Sequence, residues 1–374
     1  MTYYRNRQQT YRHNIATSHV IKRTMAETLP DSFKNARPGG GFGGPQVGLI
    51  KPYEISTELM PMAEKLNMLA LFEDMKTKGY CVIPPTPETE QLADIIRADV
   101  MRIGDEQVKN KDKRGTSTPR LLGHPDVTML PDGTTAFEKI LMEPRLACLA
   151  EYMCGAGFIL SQHTASRKTA KIDAMVAKMD KHGRGYAPAL HADQSWMPSP
   201  FPEHNLFLTA CFVTDDGYET RDGGATCIVP GSHFLKKFPP THDEGLMEEA
   251  YKRLKPIIAK KGSWAVWDGS VWHAGGWRKQ EESARVVVHT TFSRMYVRPV
   301  EEYKNIIGDD ILARNPPLMA QLVGRDDWLS HRSMVGRGRK FLKTYGMALN
   351  GTGGVVHKLD WENFTGKFDA GAKL

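Results

Sequence analysis

The first regular pattern of apolar positions lies at residues 57–78, where apolar side chains recur at helical spacing. A short apolar run, GYCVIPP, then predicts a strand at 79–85. Residues 86–103 begin with Thr-Pro, an N-cap followed by a first-turn proline, and predict a second helix. A third helix is expected over 143–155, from Glu-Pro to a glycine.

Between residues 155 and 298 the pattern changes to short apolar runs separated by turn sequences such as DDG, RDGG and PGSH. The runs are GFILSQH, KIDAMVAKM, LFLTACFVT, ATCIV, SWAVWD and RVVVHTTFSRMYV. Consecutive strands without intervening helices favour an antiparallel sandwich or barrel over a parallel sheet. Helical patterns return at 301–314 and 318–343.

We therefore expect a β-barrel-like domain at 57–298, which includes the helices in front of it, and a helical extension at 299–374. Residues 1–56 predict a basic, partly flexible arm, because the first 50 residues hold seven Lys or Arg against two acidic residues. The glycine-rich sequence RPGGGFGGPQ in this arm has no strand before it and no helix after it, so it predicts a connector and not a phosphate-binding loop.

Composition excludes several classes of protein. With 40% hydrophobic and 25% charged residues among 374, the chain is typical of a globular protein, and its net charge of +7 is typical of a soluble surface and not of a nucleic-acid-binding domain. No apolar run is long enough to span a membrane, and the five cysteines form no C-x-x-C pair. We expect a cytoplasmic protein that acts on a small molecule, with no nucleic-acid or membrane partner, and that could form a homo-oligomer.

The sequence His191-Ala192-Asp193 is the first candidate for chemistry. In an extended strand, side chains two residues apart project from one face, so this imidazole and this carboxylate would point into one cavity. His273, in VWDGSVWHAGGW at the end of a predicted strand, is the best candidate for a third ligand. Two histidines and one carboxylate on one face of an octahedron form the facial triad of non-heme Fe(II) oxygenases, which leaves three positions open.

Other interpretations of these residues stay open. A His-x-Asp sequence is more often a buried hydrogen-bonded pair than a set of metal ligands, and the remaining histidines of the chain compete for any ligand role. The position of all three residues in the strand-rich region favours the metal site.

Arg285 opens the apolar strand RVVVHTTFSRMYV and shares a face with Val287, His289 and Thr291. A buried arginine needs a carboxylate partner because its charge cannot be titrated away. An anionic cosubstrate would provide one, since the guanidinium fork suits a carboxylate. The alternative is an arginine at a strand end that reaches solvent or pairs with the neighbouring glutamates at 281 and 282.

These motifs together resemble the phytanoyl-CoA dioxygenase family of Fe(II)/2-oxoglutarate oxygenases. The resemblance covers roughly residues 70–298 and rests on HAD, GGATCIVPGSHF, WAVWDGSVWHAGG and Arg285, in that order. It implies a mainly β fold with flanking helices around a double-stranded β-helix, the jelly-roll or cupin-like core. It also implies Fe(II) bound by His191, Asp193 and His273, and 2-oxoglutarate bound by Arg285. O₂ would convert that cosubstrate to succinate and CO₂ while a small organic substrate is hydroxylated.

Further details follow from the same resemblance. Related halogenases have a small residue in place of the ligand carboxylate, so Asp193 favours oxygenation. Ser283 lies near the position of a family serine that contacts the cosubstrate, whereas Trp277 and Arg278 stand where family members often have an asparagine. Trp196, just after the HAD motif, is a candidate for the substrate pocket.

Alternatives to a hydroxylase remain at this point. The same oxidant could desaturate, epimerise or rearrange a substrate. The three ligands could instead hold Zn²⁺ and an activated water in a hydrolase, because affinity alone favours zinc at such a site. A jelly-roll protein could also bind a metal without catalysis. Ser232 and His233 of the PGSH sequence are expected to shape a turn near the site, and the tryptophans at 264, 267, 272 and 277 are expected to pack in the core.

Overall fold

The structure is a computed structural model, and the residues that it describes lie in the unit Pro45–Leu374. They are residues 52–56, 59–109, 117–118, 121–168, 189–194, 197–276, 278–279, 284–325, 348–349 and 355–356. Trp196 and Ser283, the predicted strand KIDAMVAKM, most of the predicted arm and most of the helical pattern at 318–343 lie outside the described residues.

Two helices and not one occupy the first amphipathic segment. They are α1 (Met60–Lys65) and α2 (Leu69–Lys78), and between them Asn67 takes a left-handed conformation with φ 54°. Asparagine tolerates that conformation better than most residues, and it interrupts the helix. The α2 helix ends at Gly79, where φ is 82° and an added Cβ would lie 2.5 Å from Nδ1 of His233. Only glycine suits this position.

The next elements follow the sequence pattern closely. Strand β1 is Tyr80–Ile83, and helix α3 is Pro87–Lys109, longer than the predicted end near residue 103. The amide of Thr89 donates to the hydroxyl of Thr86 at 3.1 Å, which confirms the predicted cap. Helix α5 (Pro144–Cys154) is also as expected, whereas the short helix α4 (Ala136–Leu141) was not predicted from the sequence.

The main sheet has six antiparallel strands in the order β1-β7-β4-β9-β3-β2. Its other strands are β2 (Ser117–Thr118), β3 (Ile159–Lys168), β4 (Phe207–Val213), β7 (Trp264–Asp268) and β9 (Arg285–Ser293). One face, which includes Val286 and Val288, packs in the core that contains residues of α3, α4 and α5. The alternation of side chains along each strand sends the neighbouring residues to the opposite face, where the site lies.

A second antiparallel sheet has the order β6-β5-β8, formed by β5 (Thr226–Ile228), β6 (Lys255–Pro256) and β8 (His273–Gly275). His273 therefore does not end the tryptophan-rich strand, as the sequence suggested; it begins a separate strand in the other sheet. The chain passes from the large sheet to the small sheet through a turn at Asp268–Ser270. This turn is stabilised by the amide and the hydroxyl of Ser270, which both donate to Oδ1 of Asp268.

A helix also interrupts the region that we expected to contain only strands. Helix α6 (Glu244–Lys252) is capped by Asp243, whose side chain accepts a hydrogen bond from the amide of Leu246 at 2.9 Å. The capping residue and the following glutamate and leucine are the sequence signals for this helix.

Residues of the two sheets share one buried cluster. Cys211, Ala265 and Val287 of the large sheet pack there with Ile228 of the small sheet and with Ile257 next to it. Each buried Val or Ile side chain stabilises the fold by roughly 1.5–3 kcal/mol relative to an exposed one. Two antiparallel sheets around a shared interior, with helices outside, confirm the predicted mainly β, double-stranded β-helix architecture.

Short helices follow β9: α7 (Tyr303–Ile306), α8 (Asp309–Arg314) and α9 (Pro317–Leu322). The single helix predicted at 301–314 is thus divided at Gly308. Arg314 forms an ion pair with Glu138 of α4, which is fully buried. Strands β10 (Ala348–Leu349) and β11 (Val355–Val356) pair with each other. Among the described residues, no helix is both long and apolar enough to cross a membrane.

Candidate metal and cosubstrate site

His191 and His273 form an isolated antiparallel bridge at the edge of the small sheet. The amide of His191 donates to the carbonyl of His273 at 2.9 Å, and the reverse hydrogen bond is 2.8 Å. This pair places two imidazoles side by side, with ring centres 4.2 Å apart. The expectation of a regular strand through His191 and Asp193 was wrong, because Asp193 lies in a turn immediately after the bridge.

The turn brings the carboxylate to the two imidazoles. Oδ1 of Asp193 lies 3.9 Å from Nε2 of His191 and 3.4 Å from Nε2 of His273. One potential ligand atom from each of the three residues lies within 4.8 Å of the others. The structure therefore brings together the three residues that the sequence proposed as ligands.

Both imidazoles are held by backbone carbonyls. Nδ1 of His191 lies 2.7 Å from the oxygen of Ala189, and Nδ1 of His273 lies 3.1 Å from the oxygen of Val271. Because a carbonyl only accepts hydrogen bonds, each Nδ1 must carry the proton. In the neutral rings this leaves the lone pair on Nε2, which faces the other ligand atoms, as metal-binding histidines require.

The second oxygen of Asp193 has different partners. Oδ2 accepts hydrogen bonds from the hydroxyl of Thr209 at 2.8 Å and from Nε1 of Trp267 at 2.9 Å. Thr209 and Trp267 are opposite each other on β4 and β7. Neither contact was predicted from the sequence, in which Trp267 was expected only to pack in the core. The available signal was a single hydroxyl in the otherwise apolar run LFLTACFV.

Electrostatics also couples the three side chains. Burial by itself would raise the pKa of Asp193, but the adjacent His273, His191 and the Thr209 hydroxyl lower it below its usual value. Burial opposes the charged form of His273, yet the Asp193 carboxylate raises the pKa of that imidazole above its ordinary value. Burial, together with His273, lowers the pKa of His191. The carboxylate is thus ionised and available as an anionic ligand.

Arg285 is buried on the same side of the large sheet, with only 2% of its surface exposed. The alternative in which its side chain reaches solvent is therefore wrong. Its Nη1 donates to the carbonyl of Gly224, and its guanidinium lies over the ring of Tyr218. Its Nε is buried and has no hydrogen-bond partner among the described residues. The glutamates at 281 and 282 lie outside those residues.

A line of side chains on β9 connects Arg285 with the metal ligands. The sequence alternation predicted that Val287, His289 and Thr291 share its face, and the contacts agree. Thr291 lies 3.5 Å from the hydroxyl of Thr209, which binds Asp193.

Farther along this line, His289 contacts the thiol of Cys211 at 3.0 Å and the hydroxyl of Ser166 at 3.1 Å. Burial and the positive charge of Arg285 lower the pKa of His289 to about 3, so this imidazole is neutral. On this face of β9, the side chain next to Arg285 on the way to Thr291 is apolar Val287, and the following one is the neutral His289.

The residues of the PGSH sequence support the site from outside. The hydroxyl of Ser232 accepts a hydrogen bond from the amide of Trp272 at 2.7 Å, next to His273. His233 lies near Lys76, with its Nε2 3.1 Å from that carbonyl oxygen, and does not belong to the ligand cluster. Trp264, Trp267 and Trp272 are buried, as the sequence predicted, and Trp277 lies outside the described residues.

The donor set fits a divalent transition metal and an anionic chelator. Two imidazole Nε2 atoms and one carboxylate oxygen suit iron, and they also suit zinc. The Nε of Arg285, which no described residue contacts by a hydrogen bond, is a buried polar atom that a ligand carboxylate would satisfy. Glycine at position 217 leaves room for this arginine, because a Cβ there would lie 2.6 Å from its Cγ.

The phytanoyl-CoA dioxygenase (PhyH) family matches residues 75–285, more than half of the chain. The chain therefore belongs to the phytanoyl-CoA dioxygenase family, and the resemblance seen in the sequence is confirmed. The candidate metal ligands and Arg285 all fall within the matched range.

Individual relatives match over different lengths of the chain. An uncharacterized protein of Mycobacterium tuberculosis, Rv1501, is 31% identical over 107 residues, 28% of this chain and 36% of that protein. A counterpart in Mycobacterium bovis matches equally. The alignment thus spans about a third of the length of these curated relatives. Dioxygenase af480 of Aspergillus fumigatus is 23% identical over 73% of this chain and 81% of its own.

Solved structures with a similar arrangement include AviO1 from Streptomyces viridochromogenes, with a TM-score of 0.43, 18% identity and coverage of 63% of this chain and 99% of that one. HygX from Streptomyces hygroscopicus, with iron bound, has a TM-score of 0.42 and 14% identity, over 62% of this chain and 89% of its own. The epimerase SnoN from nogalamycin biosynthesis has a TM-score of 0.39 and 19% identity, over 64% and 87%.

Proposed function

We propose that this protein is an Fe(II)/2-oxoglutarate-dependent dioxygenase that hydroxylates a small organic substrate. The observation that carries the proposal is the combination of two features on one face of the large sheet. The His191, Asp193 and His273 ligand atoms converge within 4.8 Å, and Arg285 is buried there with an Nε that has no partner in the part of the chain that the structure describes. A hydrolytic zinc site would need the first feature and not the second.

The residues have separate roles in this proposal. Nε2 of both histidines and Oδ1 of Asp193 would hold Fe(II), and Arg285 would bind the distal carboxylate of 2-oxoglutarate. The guanidinium offers this carboxylate a planar donor at low dielectric, where a charge-assisted hydrogen bond is strong. The ring of Tyr218, whose centre lies 5.4 Å from Cζ of Arg285, limits the directions that the guanidinium can take.

Bound iron would supply the O₂ chemistry: 2-oxoglutarate and O₂ become succinate and CO₂, and one oxygen atom enters a substrate C–H bond. The chain contributes binding, orientation and the exclusion of water. The neutral His289 and the apolar Val287 between Arg285 and the ligands add no charge that would compete for the cosubstrate. Asp193 retains the carboxylate that a halogenase lacks, which supports oxygenation.

Desaturation, epimerisation and rearrangement use the same site and differ in the product. Mass spectrometry of the product separates them, because hydroxylation adds one oxygen atom, desaturation removes two hydrogens, and epimerisation or rearrangement leaves the mass unchanged. Our proposal of hydroxylation requires the added oxygen atom to derive from O₂, which isotopically labelled O₂ would show.

The test of the cofactor assignment needs no substrate. Apoprotein is loaded with Fe(II) without oxygen and titrated with 2-oxoglutarate, and the visible charge-transfer band of an iron–oxoacid chelate is recorded. We expect the band in the wild type and its loss in Asp193→Ala. Asp94→Ala is the matched control, since Asp94 is an exposed carboxylate paired with Lys261.

The possible results separate the alternatives. Iron binding without the band would show that the cosubstrate assignment of Arg285 is wrong. No iron binding at all would favour the zinc hydrolase or a protein without catalytic activity.

Localisation is a further part of the proposal. All five cysteines are buried and unpaired, which supports a reducing compartment such as the cytoplasm.

A further inference from the structure

The two oxygens of the Asp193 carboxylate are held in different environments. Oδ1 faces the imidazoles of His191 and His273, whereas Oδ2 is bound by the hydroxyl of Thr209 and the indole N–H of Trp267. The contacts to Oδ2 are 2.8 and 2.9 Å, normal lengths for hydrogen bonds to a carboxylate. The two oxygens are therefore not equivalent before any metal binds.

Both donors are rigidly placed by the large sheet. Thr209 and Trp267 are a cross-strand pair, and only 5% and 2% of their respective surfaces are exposed. The hydroxyl of Thr209 also lies 3.5 Å from that of Thr291 on the next strand. The ring of Trp267 lies 5.1 Å from the ring of His273, so one side chain contacts two of the three proposed ligands.

We infer that Thr209 and Trp267 are positioning residues that restrict Asp193 to binding the metal through Oδ1 alone. An octahedral ion with three protein ligands, one atom each, keeps three positions for a chelating cosubstrate and O₂. A carboxylate that binds through both oxygens would close one of these positions. Two hydrogen bonds to Oδ2 make that rotation costly, because it would leave two buried donors without an acceptor.

This inference rests on the proposed function, but its test measures metal affinity and the visible spectrum of the bound metal. Thr209→Val removes one donor with little change in volume, and Trp267→Phe removes the other together with part of the ring, a loss that the control Trp264→Phe shares. The apoproteins are titrated with Co(II), whose visible absorption reports coordination number, and with Fe(II) without oxygen, followed by 2-oxoglutarate.

We expect each variant to bind metal about 10–100-fold more weakly, the usual effect of losing a group that orients a ligand. We also expect an altered Co(II) spectrum and a weaker charge-transfer band at saturating iron. Thr209→Ser, which keeps the hydroxyl, should restore the wild-type behaviour.

Two control variants lie on or next to the same strands and do not contact the candidate ligands. Thr214→Val removes a hydroxyl next to the end of β4 that donates to the carbonyl of Val286 at 2.7 Å. Trp264→Phe removes an indole N–H on β7 that donates to Glu143 at 2.6 Å. Both should lower stability and leave metal affinity and the Co(II) spectrum unchanged.

The outcomes distinguish this inference from the function on which it rests. If Thr209→Val and Trp267→Phe match these controls in metal affinity and in the Co(II) spectrum, the positioning role is wrong. If the wild type binds Co(II) and Fe(II) but forms no band with 2-oxoglutarate, the proposed function fails, and the Co(II) spectra still decide the role of the two donors. If the wild type binds neither metal, both proposals fail.

Discussion

The guanidinium carbon of Arg285 lies 5.4 Å from the centre of the Tyr218 ring, and the hydroxyl of Tyr218 is held by Thr226 at 2.7 Å. Arg285 and Tyr218 therefore form a fixed pair at the start of β9, and the Thr291 hydroxyl farther along the same face of this strand lies next to Thr209, which binds Asp193. The ring of Tyr218 thus limits the orientation of the guanidinium that is proposed to bind the cosubstrate.

Replacing Arg285 should weaken 2-oxoglutarate binding without affecting iron. Arg285→Lys keeps the charge and loses the planar fork, so we expect the dissociation constant of the cosubstrate to rise about 10–100-fold, the effect of losing hydrogen bonds to a charged group. Titration of the charge-transfer band measures it. Arg298→Lys, at an arginine that is 85% exposed, is the control. An unchanged cosubstrate affinity would remove Arg285 from the site.

Gly217→Ala tests the space around the same arginine. The new Cβ would lie 2.6 Å from Cγ of Arg285 and 2.7 Å from Oδ1 of Asp215, so one of these groups must move. We expect weaker cosubstrate binding at unchanged iron affinity. Gly245→Ala, in helix α6 with its nearest contact at 3.5 Å, should change neither and should stabilise the helix by up to about 1 kcal/mol. An equal cosubstrate affinity in Gly217→Ala and Gly245→Ala would show that the space between position 217 and Arg285 is not needed for binding.

Metal binding should stabilise the folded protein. A ligand at 100 times its dissociation constant contributes about 2.7 kcal/mol, so Mn(II) or anaerobic Fe(II) should raise the melting temperature of the wild type. His191→Ala should lose most of this increase and keep its fold, because its ring is partly exposed. His124→Ala, at a half-buried histidine outside the ligand cluster, should respond like the wild type. A metal-dependent increase retained in His191→Ala would show that the metal binds elsewhere.

The free energy of unfolding should decrease as the pH is lowered below about 6.5, because His163 is buried in its neutral form. Burial lowers the pKa of this imidazole to about 3, and its buried Nε2 has no partner among the described residues. Above its unfolded pKa of about 6.5 both states are neutral and the full stability is present. As the pH falls toward 3, only the unfolded state takes up the proton, so stability is lost by about 1.4 kcal/mol per pH unit.

The measurement is urea denaturation at several pH values between about 6.5 and 4, the range over which an unfolded histidine becomes protonated. His163→Gln should reduce the slope of stability against pH, and His242→Gln, at an exposed histidine, should keep the wild-type slope. A slope that is the same in His163→Gln and the wild type would mean that this imidazole is protonated in the folded state.

The cysteines should be unreactive in the native protein. All five are buried, and burial raises the pKa of Cys211 to about 12 and that of Cys227 to about 11. The thiolate is the reactive form, so a thiol reagent at pH 8 should modify native protein slowly and denatured protein at all five positions. Rapid reaction of a native thiol would identify a cavity that opens in solution.

Much of the fold could be predicted from local pattern. The runs LFLTACFVT and SWAVWD became β4 and β7, because a short run of apolar residues is stable only where both faces are buried. The division between α1 and α2 was less predictable, because Asn67 takes a left-handed conformation within a continuous hydrophobic pattern. The division at Gly308 was also missed, because Gly308 is extended and precedes the first turn of α8.

The sequence by itself also determined the chemistry of the site. The residue types at 191, 193, 273 and 285 were enough to propose two imidazoles, one carboxylate and one guanidinium, because ligand preferences are properties of side chains. Their grouping was inferred, and the structure brings the first three together within 4.8 Å.

Only the tertiary structure decided how these groups are held. The pairing of His191 with His273, the contact of Thr209 and Trp267 with one oxygen of Asp193, and the burial of Arg285 beside Tyr218 all join residues that are distant in the chain. The register of antiparallel strands sets these contacts, and that register depends on the packing of the whole sheet. For this reason the single hydroxyl in the run LFLTACFV marked Thr209 as unusual but did not show that it contacts Asp193.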